Sequence, residues 1–142
     1  MKIPLLKLDP DLPTPRRAHD DDAGLDLHAR HDTTLAPGAW ASVATGVAVG
    51  IPEGHVGLVA PRSGLALRHG IGLVNAPGVV DAGYRGEILA ILINHGPVPV
   101  TVVRGERIAQ LVVVPFATVD LEEVAELPPS IRGDGGFGST GS

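Results

Sequence analysis

Short runs of Val, Ile, Leu and Ala, cut every few residues by Gly or Pro, constrain this chain more than any other feature. Its 142 residues include 19 glycines and 13 prolines, distributed along the chain rather than in repeats. Gly and Pro mark turns, and apolar runs bounded by turn residues read as strands. The expectation is an all-β fold of many short strands. A chain of this length makes one domain and buries roughly two thirds of its unfolded surface. Residues 1–124 are expected to form that domain. Residues 125–142 read as a semi-rigid linker around Pro128-Pro129 followed by a Gly-rich C-terminal segment.

Charge narrows the function. A net charge of -5 and a pI near 5.6 oppose a nucleic-acid polymer as partner, since binding its backbone rests on a basic surface. A small anion remains open: Lys2 and Lys7 are the only lysines, and the arginines suit forked contacts with phosphate or carboxylate oxygens. The absence of cysteine excludes disulfides and thiolate metal sites. Pro4, Lys7 and Asp9 interrupt the N-terminus, which therefore lacks the apolar core of a signal peptide, and no run approaches the about 20 apolar residues of a membrane span. A soluble, cytoplasmic protein without membrane association is expected.

Residues 3–8 read as a first strand and residues 9–22 as an irregular connection. The cluster His19-Asp20-Asp21-Asp22, with Asp26 and His28 behind it, suggests a metal site, but it matches no standard ligand spacing. Ala23-Gly24-Leu25-Asp26-Leu27 alternates as a half-buried strand does, with Leu25 and Leu27 on one face and Asp26 on the other. Residues 40–51 and 55–60 read as strands with turns at Ala36-Pro37-Gly38 and Pro52-Glu53-Gly54. Then comes Pro61-Arg62-Ser63-Gly64-Leu65, with a single helical turn at residues 66–69 stopped by Gly70. With Ser63 at the N-cap, the free N–H groups, Arg62 and the Ser63 hydroxyl would converge into a phosphate seat; a plain capped turn with a surface Arg is the alternative.

Residues 71–75 are expected to form a strand ending in Asn75, whose amide can read a base edge or stitch a turn. In Gly78-Val79-Val80-Asp81-Ala82-Gly83-Tyr84-Arg85-Gly86-Glu87, the flanking apolar runs suggest a hairpin reversing at residues 81–83, with Gly83 free to take a positive φ. Such a turn fixes an Asp able to hold a water and a Tyr able to offer a ring face; turn and packing residues are the plainer reading. Gln110 is the one polar residue of the strand at residues 108–114, either an edge residue or a directed hydrogen-bond donor. The segment Arg132-Gly133-Asp134-Gly135-Gly136-Phe137-Gly138-Ser139-Thr140-Gly141 imitates G-x-G-x-x-G and the P-loop, yet lacks their strand and helix, and Ser139 stands where the P-loop has Lys. What remains is backbone N–H, one Arg, two hydroxyls and one aromatic, which could close over a phosphorylated, ring-bearing ligand.

Five segments in order, residues 23–27, 61–65, 78–87, 104–112 and 132–141, resemble the five motifs of the trimeric dUTP pyrophosphatase (dUTPase) family. The resemblance spans residues 23–141. It implies a jelly-roll-like distorted barrel (β-clip), a homotrimer with sites at subunit interfaces, and hydrolysis of dUTP to dUMP and pyrophosphate, with Mg²⁺ held mainly by the triphosphate. That activity keeps uracil out of DNA and supplies dUMP for dTMP synthesis. On this template Asp81 matches the general base that orients water toward the α-phosphorus. Tyr84 matches the ring that packs on deoxyribose, and Asn75, Val79, Val80 and Leu89 match the uracil reader, whose close approach excludes the C5-methyl of thymine. Arg62, Ser63, Gly64 and Gln110 match phosphate ligands, and Asp26 an acid near the metal acting through water. In the tail Arg132 matches a γ-phosphate clamp, Phe137 a ring covering uracil, and Gly138, Ser139 and Thr140 the loop that closes on the phosphates. Arg104 and Arg107 match positions expected to be structural. The resemblance leaves two alternatives: a dCTP deaminase or bifunctional deaminase and dUTPase on a similar fold, and a non-catalytic dUTP-responsive module.

Overall fold

The computed structural model describes residues 1–136. Its elements are β1 (Leu5–Lys7), β2 (Leu25–His28), β3 (Thr33–Leu35), β4 (Trp40–Ala44), β5 (Val47–Val49), β6 (His55–Ala60), α1 (Ser63–His69), β7 (Ile71–Leu73), β8 (Gly78–Val80), β9 (Leu89–Asn94), β10 (Val100–Val102) and β11 (Arg107–Pro115). The all-β expectation holds, with one short helix among the described elements. A four-stranded sheet runs β2-β11-β6-β8 and a three-stranded sheet β4-β9-β7; two ribbons, β1-β5 and β3-β10, complete the set. Every pairing is antiparallel, as short strands joined by tight turns require. The arrangement is jelly-roll-like without a closed barrel.

Alternating apolar residues from these strands meet in one core, where Leu27, Leu35, Ile71, Leu92 and Ile108 are fully buried. Its two most enclosed polar side chains are satisfied. Asn94 Nδ2 donates to the Leu35 and Val98 carbonyls, and Thr45 Oγ1 donates to the Ile88 carbonyl, so neither carries the penalty of an unpaired buried group.

Several local expectations change. Residues 40–51 are two strands, separated where Gly46 takes φ 72°. The Asp81 segment is not a hairpin tip: β8 pairs with β6, whereas β9 pairs with β4 and β7, so residues 81–88 carry the chain from one sheet to the other. Gly83 does not adopt the left-handed conformation; the turn closes through the Tyr84 N–H donating to the Asp81 carbonyl at 3.0 Å. The helix begins earlier than expected, with Arg62 rather than Ser63 at the N-cap and no side chain capping it. Gly70 ends it at φ 67°, its N–H donating to the Ala66 carbonyl, the left-handed stop that favours glycine. The last strand ends at Pro115, and residues 116–124, expected to complete the domain, carry no strand and are exposed.

Candidate active site

Strand register builds the first cavity. On β11, Gln110 lies opposite Asp26 of β2 and Ala60 of β6, so three strands deliver their residues to one place. The chain leaves β6 at Ala60 and turns through Pro61 and Arg62 into α1 beside them. A cavity of about 340 Å³ results, lined by Gly24, Asp26, Arg62, Ser63, Gly64 and Gln110 among others. Gln110 is therefore no edge residue: Nε2 donates to the Pro61 carbonyl at 3.0 Å, which holds the amide at the mouth of the helix.

Asp26 is committed on both oxygens. Oδ1 lies 3.1 Å from Arg62 Nε, and Oδ2 accepts from Arg107 Nη1 at 3.2 Å. Arg62 Nη1 also donates to the Arg107 carbonyl. Arg62 is the one guanidinium among the lining residues, beside two carboxylates, Asp22 and Asp26; the pairing of Asp26 with Arg62 and Arg107 offsets its charge where an anion would sit. Arg107, expected to be structural, thus reaches the cavity through Asp26. Arg104 keeps the structural place expected of it, bound to Asp9 and to the Arg30 carbonyl. On the same strand as Asp26, His28 is buried and its Nδ1 has no partner; burial pushes its pKa down, Asp26 opposes that, and the Arg107, Arg62 and Arg16 charges add to it. The His19–Asp22 cluster is a local turn, with the His19 N–H and Nδ1 both on Asp22 Oδ2, contacts that lower the Asp22 pKa. Among the described residues, no three His, Cys, Asp or Glu side chains are grouped to hold a metal.

The second cavity, about 160 Å³, is lined by Asn75, Gly78, Val79, Val80, Tyr84, Glu87 and Leu89 together with Val59 and Ile88. Tyr84 is half-exposed, and its hydroxyl donates to the Glu87 carbonyl at 2.9 Å. Gly86 makes room for the ring, since a Cβ there would lie 2.6 Å from Tyr84 Cζ. Asp81 is exposed and follows directly after Val80 in the turn that Tyr84 closes. The base-reading residues expected from the sequence are brought together here.

The two cavities share no lining residue. Arg132 lies in neither; its Nε donates to the Gly135 carbonyl at 2.7 Å. Phe137, Gly138, Ser139 and Thr140 lie outside the described residues. Sequence reasoning missed the glycines that shape both cavities. A Cβ on Gly24 would collide with the Gln110 side-chain oxygen, just as one on Gly86 would meet Tyr84. Adjacency to a motif residue was the only available signal.

Comparison with known proteins identifies the family. The family model described as dUTPase matches residues 11–141. A deoxyuridine 5'-triphosphate nucleotidohydrolase of Corynebacterium glutamicum is 56% identical over 140 residues, covering 98% of this chain and 94% of that protein. The Staphylococcus bacteriophage 80alpha dUTPase, solved as a mutant with dUpNHpp, superposes with a TM-score of 0.92 at 31% identity and covers 99% of both chains. A mutant dUTPase from phage phi11 of S. aureus, described with a structural Mg(II) ion, gives a TM-score of 0.83 at 28% identity, with 91% of this chain and 100% of that one covered. With a family match over almost all of its length and relatives above half identity, this chain belongs to the dUTPase family.

Proposed function

We infer that this protein is a dUTP diphosphatase that hydrolyses dUTP to dUMP and pyrophosphate. The observation that carries the reading is the pairing of an arginine- and amide-lined cavity, suited to phosphates, with a small pocket that offers Tyr84 and Asn75 to a sugar and a base, on a chain of the dUTPase family. Arg62, Ser63, Gly64 and Gln110 receive the phosphates. Asp26 holds Arg62 in place rather than facing the anion bare. Val79, Val80 and Leu89 crowd the base edge where thymine carries its methyl group, and Asn75 reads that edge. Tyr84 packs on the deoxyribose and leaves no space for a 2′-hydroxyl. Asp81 takes a proton from the water that attacks the α-phosphorus, with pyrophosphate leaving in line. Arg132, Phe137, Gly138, Ser139 and Thr140 close over the bound nucleotide.

Mg²⁺ fits this scheme as an ion that arrives on the triphosphate. Asp26 has both oxygens on guanidinium groups, so its donor set suits contact through water rather than direct ligation. When bound, the ion neutralises phosphate charge as the leaving group departs. The neighbouring phage phi11 enzyme is described with a structural Mg(II) ion.

The active protein is a homotrimer in this reading. In that assembly one subunit brings its Asp81 and Tyr84 to the Arg62 and Gln110 of the next, which joins two cavities that share no lining residue on one chain. No described helix is long and apolar enough to cross a membrane, and the protein is expected in the cytoplasm. Pyrophosphate release measured side by side with dUTP, dTTP, UTP and dCTP tests the function. Activity confined to dUTP is the expected result. Ammonia release from dCTP would replace the reading with a deaminase, and dUTP binding without turnover would leave only a dUTP-responsive module.

A further inference from the structure

Glu87 has no part in the reaction described above, yet its side chain is the most heavily engaged near the Tyr84 turn. Its Oε1 accepts from the Gly46 N–H at 2.8 Å, and both carboxylate oxygens lie 3.2 Å from Arg30 Nη1. Its backbone carbonyl accepts the Tyr84 hydroxyl. The same residue therefore tethers the far end of the Tyr84 ring while its carboxylate is pinned to the turn between β4 and β5.

The pins are themselves fixed. The Arg30 N–H donates to the Ala44 carbonyl at 2.8 Å, its Nη2 donates to the Leu8 carbonyl, and its Nε lies 3.5 Å from Asp9 Oδ2. Arg104 closes the assembly from the other side, donating to the Arg30 carbonyl and to Asp9. At Gly46, φ is 72° and a Cβ would press on Asp9 and Leu12 at 2.9 Å, so the donor facing Glu87 sits on backbone that favours glycine.

We propose that Glu87 is a positioning residue for sugar discrimination: its anchored carboxylate fixes the carbonyl that holds the Tyr84 ring. The proposal rests on Tyr84 being the group that meets the deoxyribose; Glu87 itself touches no substrate. A half-exposed tyrosine in an inter-sheet connection has other rotamers available. Excluding one hydroxyl group demands that the ring stay within about 0.5 Å of its place, which packing and hydrogen bonds around it must enforce. Gly86 under the ring and Glu87 at its hydroxyl supply that restraint, and Arg30 with Gly46 supplies it to Glu87.

The test compares Glu87→Ala, Glu87→Gln, Tyr84→Phe, Tyr84→Ala and the Glu87→Ala/Tyr84→Phe double variant, measuring kcat/KM for dUTP and UTP together with thermal stability. Glu87→Ala and Tyr84→Phe should each lower the dUTP to UTP preference by about tenfold or more. The double variant should lose no more than the worse single, because both changes cut one restraint. Glu87→Gln, which keeps an acceptor for Gly46 but loses the charge facing Arg30, should fall between. A wild-type preference in Glu87→Ala with only a lower Tm would overturn the proposal, as would effects that multiply in the double variant. If Glu87→Ala does not fold, Glu87→Gln and Arg30→Gln decide, and an unchanged preference in both sinks the idea. Tyr84→Ala keeps the two readings apart: unchanged preference there removes the role of Tyr84 itself, whereas a shift there without one in Glu87→Ala removes only that of Glu87.

Discussion

A positioned general base contributes about 10²- to 10⁴-fold to a hydrolysis, the role proposed for Asp81, which directly follows Val80 of the Asn75 and Tyr84 cavity in the turn after β8. Asp81→Asn should lower kcat by at least that range while calorimetry still detects dUTP binding; turnover near the wild-type rate would remove Asp81 from the role. The roles proposed for Asp81, Tyr84, Arg62 and Gln110 could be read from the sequence because each lies in a segment that resembles a family motif. Those of Gly24, Gly86 and Glu87 could not. Their constraint is a contact through space, with Gln110, the Tyr84 ring and Arg30 respectively, and nothing in the local pattern separates a glycine that makes room for a side chain from one that merely turns the chain.

Elements were legible to the extent that turn residues bound them. β6 was read with its observed ends because Gly54 and Pro61 delimit it, and β11 stood out as the most apolar run. The link after β8 was misread because flanking strands with Asp and Gly between them imply a hairpin, whereas pairing is decided by partners far away in sequence: β6 for one strand, β4 and β7 for the other. The last element is the segment after Pro115, whose described part lies apart from both cavities. Residues 125–131 can extend roughly 3.3 Å each, a reach that the proposed closure by residues 132–141 draws on. A protein ending at Ser130 should retain its circular dichroism spectrum and Tm yet turn over dUTP at a severely reduced rate. Full activity in that shortened form would show that the motif around Phe137 has no part in closure.

At the scale of the molecule, sites assembled from two subunits can be complemented. Arg62→Ala and Asp81→Asn proteins, each nearly inactive, should regain activity when unfolded together and refolded at equal concentration. Random assembly places an intact Asp81 against an intact Arg62 in about a quarter of sites of a ring in which each subunit contacts the next through unlike surfaces. Recovery of nothing would mean that each chain builds its site alone. Stability has a separate lever in the clamp between the N-terminal segment and the β10–β11 turn. Hydrogen bonding to Arg104, aided by the Arg104 and Arg30 charges, holds the Asp9 pKa at about 2 against 3.8 for a free side chain. A depressed carboxylate pKa favours the folded state above the unfolded value and loses that contribution as pH falls through the folded one. Thermal unfolding followed from pH 5 to pH 2 should therefore show Tm falling below about pH 4, and Asp9→Asn should flatten that part of the curve.

The segment beyond β11 has one more consequence. Val119, Leu121, Val124, Leu127 and Ile131 stand exposed along it on the lone chain, and aliphatic side chains strung on unpaired backbone are what proteases and chaperones bind. A single chain thus presents a row of such side chains to solvent.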